Sequence, residues 1–137
     1  MDLRQLTPDL SVAPQINPED MARLAAEGYV AVIDNRPDDE VPPSHQSPAM
    51  AEAAAAAGLQ FHYLPIVPGQ LTPDLAALVG RALATTRGRA LAYCRSGTRS
   101  TTAWALDQAG QQPADDILRA AAAAGYDLSG MRPLLDR

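Results

Sequence analysis

The stretch CRSGTRS, residues 94–100, gathers the residue types best suited to nucleophilic chemistry in this chain. Cys94 is the one cysteine, and the six residues after it supply two guanidinium groups, three hydroxyls and a glycine. A thiolate is a strong nucleophile, and a helix N-terminus or nearby arginines can pull a cysteine below its free pKa of about 8.5. Gly97 permits backbone conformations that other residues resist, so successive N–H groups from Arg95 to Ser100 can curl around one anion. Arg99 offers a planar fork for two oxygens of a tetrahedral group and stabilises charge in a transition state. Cys94 and Arg99 are thus the expected catalytic pair, with Arg95, Ser96, Gly97, Thr98 and Ser100 binding the substrate. The competing expectation is that a lone cysteine is a small buried hydrophobe. The combination of loop, glycine, arginines and hydroxyls favours the nucleophile.

Such a loop needs a strand to deliver it and a helix to follow it. ALAY, residues 90–93, predicts a short apolar strand, and STTAWALDQAG predicts a helix running to Gly110. The same alternation fills the rest of the chain. Asn17-Pro18-Glu19-Asp20 predicts a helix start with Asn17 as N-cap and Pro18 in the first position. YVAVID, residues 29–34, predicts a strand buried on both faces. A helix capped by Ser47 follows from about Pro48 to Ala57, then LQFHYLPI, residues 59–66, as a strand. Thr72 caps a third helix that places Leu75, Leu78, Val79, Ala82 and Leu83 toward the core, ending at Gly88. Pro113 opens another helix, a short tail helix covers Met131 to Leu135, and a weak strand pattern covers Leu10 to Ala13.

This order predicts an α/β fold: a mostly parallel central sheet of four to five strands, flanked by helices, in one domain over residues 1–137. Sites in such sheets form outside the carboxyl ends of the strands, where Cys94 falls.

Composition narrows the function. The net charge of −5 argues against a nucleic-acid partner, because phosphate neutralisation needs a basic face. No run approaches the roughly 18 apolar residues of a membrane span, and the first residues lack the pattern of a signal peptide. One cysteine makes no internal disulfide, so the expected compartment is the reducing cytoplasm. Two histidines and one cysteine, widely separated, form no metal-ligand pattern. All 11 basic residues are arginine.

Strand, Cys-x-x-Gly-x-Arg-Ser, then helix resembles the anion loop of cysteine-dependent phosphatases and of rhodanese-type sulfurtransferases. More closely, VAPQINPED, VIDNRPDDE, FHYLPIV and AYCRSGTRS, in this order, are similar to the phosphatase-like domain of the beta-lactamase-hydrolase-like proteins. That resemblance covers nearly the whole chain. It implies a fold like that of dual-specificity phosphatases and a Cys94-dependent hydrolase that uses no cofactor and acts on a small anionic substrate, a phosphate ester. The alternative it implies is sulfur transfer through a Cys94 persulfide, from a persulfide or thiosulfate donor. A third expectation is an anion-binding module without turnover. It also implies a functional link to a metallo-β-lactamase-fold partner of sulfide oxidation. The spacing departs from the phosphatase pattern, since Cys94 and Arg99 enclose four residues rather than five, as in many rhodaneses. Tyr93 stands where dual-specificity phosphatases have histidine.

Cysteine-based phosphate hydrolysis calls for an acid to protonate the leaving oxygen. The resemblance puts an aspartate after FHYLPIV, but Pro68 and Gly69 occupy that place. Asp38, Asp39 and Glu40, beyond the end of another strand, are the remaining candidates, with a solvated turn as the alternative for each. Asp34 and Arg36 are expected to pair or to line the pocket rim, Arg36 touching substrate. Trp104 and His62 read as packed residues, and His45 as a loop residue.

Overall fold

The computed structural model describes residues 1–136. Five strands form one sheet in the order β1-β2-β5-β3-β4. They are β1 Arg4–Thr7, β2 Leu10–Ala13, β3 Tyr29–Asp34, β4 Gln60–Tyr63 and β5 Arg89–Tyr93. All pairings are parallel except β1 with β2, an antiparallel hairpin at one edge. β3 and β5 are central, and their inward residues Val32, Ile33, Leu91 and Ala92 are buried, as near-continuous apolar runs require.

The helices cover both faces. α1 Asp20–Ala26 and α2 Ser47–Ala56 pack Met21, Leu24, Met50 and Ala54 against Val32, Leu91 and Tyr93. On the other face, α3 Pro73–Thr85, α4 Thr98–Gln108, α5 Ala114–Ala123 and α6 Arg132–Leu135 bury Val79, Trp104, Ile117 and Leu135 with Ile33 and Ala92. The adjacent strands β3 and β5 thus send their chains to opposite faces. Beyond their carboxyl ends a crevice forms at the switch point, and the Cys94 loop lies there. None of the helices among the described residues is long and apolar enough to cross a membrane.

Local details depart from the sequence expectations. β1 lacks a sequence signal of its own; it is held by the hairpin that turns at Pro8-Asp9. Asp20 Oδ2 accepts the Asn17 N–H at 2.8 Å, as at a helix start. The α-helix α1 nevertheless begins at Asp20 rather than Pro18, because the turn before it closes with tighter bonds, Asp20 N–H to the Asn17 carbonyl at 2.9 Å and Met21 N–H to the Pro18 carbonyl at 3.2 Å. Ser47 does not cap α2; its own N–H donates to Asp38. Thr72 does cap α3, accepting the Leu75 N–H at 3.2 Å. Leu78 faces outward, 43% exposed, and α3 ends at Thr85, ahead of Gly88.

Candidate active site

β5 ends at Tyr93, and Cys94 is the next residue, fully buried with a free thiol. Its backbone N–H reaches the Ala13 carbonyl at 3.4 Å, so β2 holds the start of the loop. The chain then turns back on itself, and the Gly97 N–H donates to Cys94 Sγ at 3.1 Å. Gly97 has φ of 92°, in the left-handed region. A Cβ there would run into Tyr126 Oη and crowd the Ala13 backbone, so the turn requires glycine on two counts. α4 begins at Thr98, which places the loop at a helix N-terminus.

Arg99, in the first turn of α4, extends to Glu40. Its Nη2 donates to Glu40 Oε1 at 2.8 Å and its Nη1 to Oε2 at 2.9 Å, while Nη1 also donates to the Ile66 carbonyl at 2.7 Å. This fixes the guanidinium within electrostatic reach of the Cys94 sulfur. The ion pair raises Arg99 above its ordinary range and holds Glu40 below that of a carboxylate. Glu40 is therefore ionised and engaged, a holder of Arg99 rather than a proton donor.

Arg36, expected at the substrate, is turned to the same carboxylate. Its Nε donates to Glu40 Oε1 at 3.3 Å, its Nη2 to the Glu40 carbonyl at 3.2 Å and its Nη1 to Gln15 Oε1 at 3.2 Å. Of the two expected acids, one has a structural role. Asp38 accepts the Ser47 N–H at 2.6 Å and the Ser47 hydroxyl at 2.7 Å, capping α2 from a distance. Asp39 is exposed, and its carboxylate has no hydrogen-bond partner among the described residues. Ser100 is buried, and its hydroxyl donates to Asn35 Oδ1 at 2.8 Å instead of facing a ligand. Arg95, Ser96 and Thr98 are exposed on the outer face of the loop, with Ser96 Oγ 3.0 Å from Thr98 Oγ1. Pro68 and Gly69 lie exposed after β4.

Several residues without a chemical motif position the loop. Asn35, buried just past β3, donates its N–H to the Tyr93 carbonyl at 2.8 Å and its side-chain amide to the Leu64 carbonyl at 2.8 Å. It thereby joins the ends of β3, β4 and β5 to Ser100. Tyr126, in the segment after α5, donates to the Ser96 carbonyl at 2.9 Å. The only signal for either was a polar or aromatic residue beside an element end. Asp34 is 1% exposed; it accepts the Arg36 N–H at 2.9 Å, yet burial pushes its pKa up to about 6. The Tyr93 hydroxyl is also buried, has no hydrogen-bond partner within bonding distance among the described residues, and is raised by burial and by Asp34.

A cavity of about 330 Å³ opens beside Arg99, lined largely by apolar groups that include Ile66, Leu71, Leu106 and Leu134. A slightly larger one, about 360 Å³, lies at the opposite end of the sheet around Ala90 and Asp107, away from Cys94. Among the described residues, no group of three or more His, Cys, Asp and Glu side chains is disposed to hold a metal ion.

Residues 2–111 match the family model described as the phosphatase-like domain of beta-lactamase hydrolase-like protein. The chain is 32% identical over 130 residues to a beta-lactamase hydrolase-like protein of Xylella fastidiosa, covering 93% of this chain and 30% of that one. It therefore spans about a third of the length of such relatives. A candidate phosphatase of Neisseria meningitidis is 31% identical and superposes with a TM-score of 0.84 over 99% of this chain and 97% of that one. A kinase-associated phosphatase, crystallised with its catalytic-site cysteine replaced by serine, is 14% identical. It superposes with a TM-score of 0.70 over 90% of this chain and 80% of its own, a likeness of fold. The fold is that of the cysteine phosphatases, and the chain belongs to the family of phosphatase-like domains of the beta-lactamase hydrolase-like proteins.

Proposed function

We propose that this domain is a cysteine-dependent phosphatase-like hydrolase for small phosphate monoesters whose leaving group needs no protonation, aryl esters above all. The observation that carries this reading is the Cys94 sulfur under the Gly97 N–H, with the Arg99 fork held beside it by Glu40. The thiolate attacks phosphorus, and the P–O bond to the leaving oxygen breaks with its electron pair going to that oxygen. Water then attacks the phosphocysteine, releasing phosphate and restoring Cys94. Loop amides and Arg99 stabilise the equatorial oxygens. Glu40 is engaged in ion pairs and Asp38 in a helix cap, and neither exposed Asp39 nor buried Asp34 has a placement that assigns it as the acid, which favours leaving groups stable as anions. The apolar cavity beside Arg99 suits an aryl group.

The four-residue spacing and the engaged carboxylates favour a second reading, sulfur transfer. The Cys94 thiolate would attack the outer sulfur of a persulfide or thiosulfate, expelling a thiolate or sulfite. The resulting Cys94 persulfide would pass its sulfur to an acceptor thiol. No proton donor to an alkoxide is needed. A metallo-β-lactamase-fold partner linked to sulfide oxidation would fit this second reading.

The test is the mass of the Cys94 peptide, acid-quenched after exposure to an aryl phosphate or, in parallel, to thiosulfate. A phosphoryl adduct supports hydrolysis. An added sulfur without a phosphoryl adduct assigns the second reading, and neither adduct leaves an anion-binding module.

A further inference from the structure

We propose that Tyr126 is a positioning residue for Cys94: its hydroxyl sets the Ser96–Gly97 peptide so that the Gly97 N–H points at the nucleophile. This rests on the reading of Cys94 as the reacting thiolate and names what orients the donor beside it.

The carbonyl and the N–H in question belong to one peptide unit. The Ser96 carbonyl accepts from Tyr126 Oη at 2.9 Å, and the Gly97 N–H reaches Cys94 Sγ at 3.1 Å. In a trans peptide these two groups point in opposite directions, so anchoring one aims the other. Glycine resists rotation of its flanking peptides less than any other residue, and Gly97 sits in the left-handed region. A flipped Ser96–Gly97 unit would present an oxygen to the thiolate and to any bound anion. The outward hydrogen bond from Tyr126 opposes that flip.

The anchor is itself built. α5 ends in a left-handed Gly125, with φ of 96°, and the Tyr126 N–H returns to the Ala121 carbonyl at 2.9 Å. Arg4, from β1, lies over the Tyr126 ring with its Cζ 5.4 Å from the centroid and donates to the Ala124 carbonyl at 3.1 Å. A Cβ on Gly125 would run into that guanidinium. The Tyr126 side chain is buried, and burial raises its own titration, so it stays a donor while a thiol titrates. Tyr126 lies outside the residues matched by the family model.

Tyr126→Phe removes the hydroxyl and keeps the ring against Gly97 and Arg4. The readout is the rate of Cys94 alkylation by iodoacetamide across pH, which needs no turnover. Losing one aimed hydrogen bond should move the midpoint to higher pH and slow alkylation at pH 7 by ~2- to 10-fold, with the high-pH plateau unchanged. Arg4→Gln, which frees the ring but keeps the hydroxyl, should shift the midpoint in the same direction by less. An unshifted midpoint in Tyr126→Phe overturns the proposal. So does faster alkylation at every pH, which marks a loosened loop instead. The adduct experiment on the unmodified chain is independent: a missing adduct with a shifted midpoint removes the enzymatic reading and leaves the role of Tyr126.

Discussion

Glu40 and Arg99 meet fork to fork, with paired bonds of 2.8 and 2.9 Å, although 58 residues separate them in the chain. Arg36 braces the same carboxylate from its other side at 3.3 Å. A planar guanidinium held at two points by one carboxylate has little freedom to rotate. Glu40→Gln keeps the shape but removes the charge and one good acceptor geometry. We expect kcat/KM for an aryl phosphate to fall ~10- to 100-fold, while Cys94 remains alkylable. Steady-state kinetics beside a thiol assay checks this. Unchanged kinetics would mean that Arg99 holds its place without Glu40.

Gly97→Ala puts a Cβ into Tyr126 Oη at a left-handed φ of 92°. Strain and displacement together should destabilise the domain by ~2–4 kcal/mol and expel Cys94 from its hydrogen bond. Urea unfolding with iodoacetamide labelling reads both effects. A variant as stable as the parent would show that the loop can relax around a methyl group.

Asp34 makes stability depend on pH in the direction opposite to a paired carboxylate. Its folded pKa, about 6, lies above the ordinary aspartate value of 3.8, so the folded state binds the proton more tightly. Its contribution is most favourable below pH ~4, declines as pH rises to ~6, and above that is a penalty of at most ~3 kcal/mol. Arg36, Asp38 and Tyr93 surround it. Asp34→Asn should therefore gain stability at pH 7 and none at pH 4. Denaturant melts at both values decide, and an equal difference at the two would remove the assignment to Asp34.

Asp38→Ala takes away the acceptor that caps α2 through Ser47. A cost of ~1–2 kcal/mol follows, with turnover of aryl phosphates reduced less than ~3-fold. Asp39→Asn should alter neither stability nor turnover of these esters. A large loss of kcat in either, at unchanged stability, would restore that residue as the acid.

The fold was legible where burial is symmetrical and local. YVAVID and ALAY carry enough apolar residues to be covered on both faces, and the helix between β3 and β4 closes at Gly58. The Cys94 loop was legible as a candidate site because cysteine, glycine and arginine lie within six residues. What was not legible acts across the fold. Nothing near Glu40 in sequence indicates that it holds Arg99 rather than donating a proton. Asp38 caps a helix nine residues on, a range beyond the usual capping pattern. Ser100 follows the arginine like a ligand-binding hydroxyl, yet the α4 turn carries it inward to Asn35. Tyr126 meets Ser96 only because α5 folds back past β1.

The bond from Arg99 to Ile66 involves a main-chain carbonyl, which every residue type possesses. The segment after β4 is thus tethered to Arg99 through its main chain, with the Ile66 side chain in the core and Val67, Pro68 and Gly69 at the surface. Such a segment can exchange residues over evolutionary time, gaining or losing a proton donor, while the arginine below it stays in register. One scaffold could in this way be passed between chemistries that require a donor and chemistries that do not.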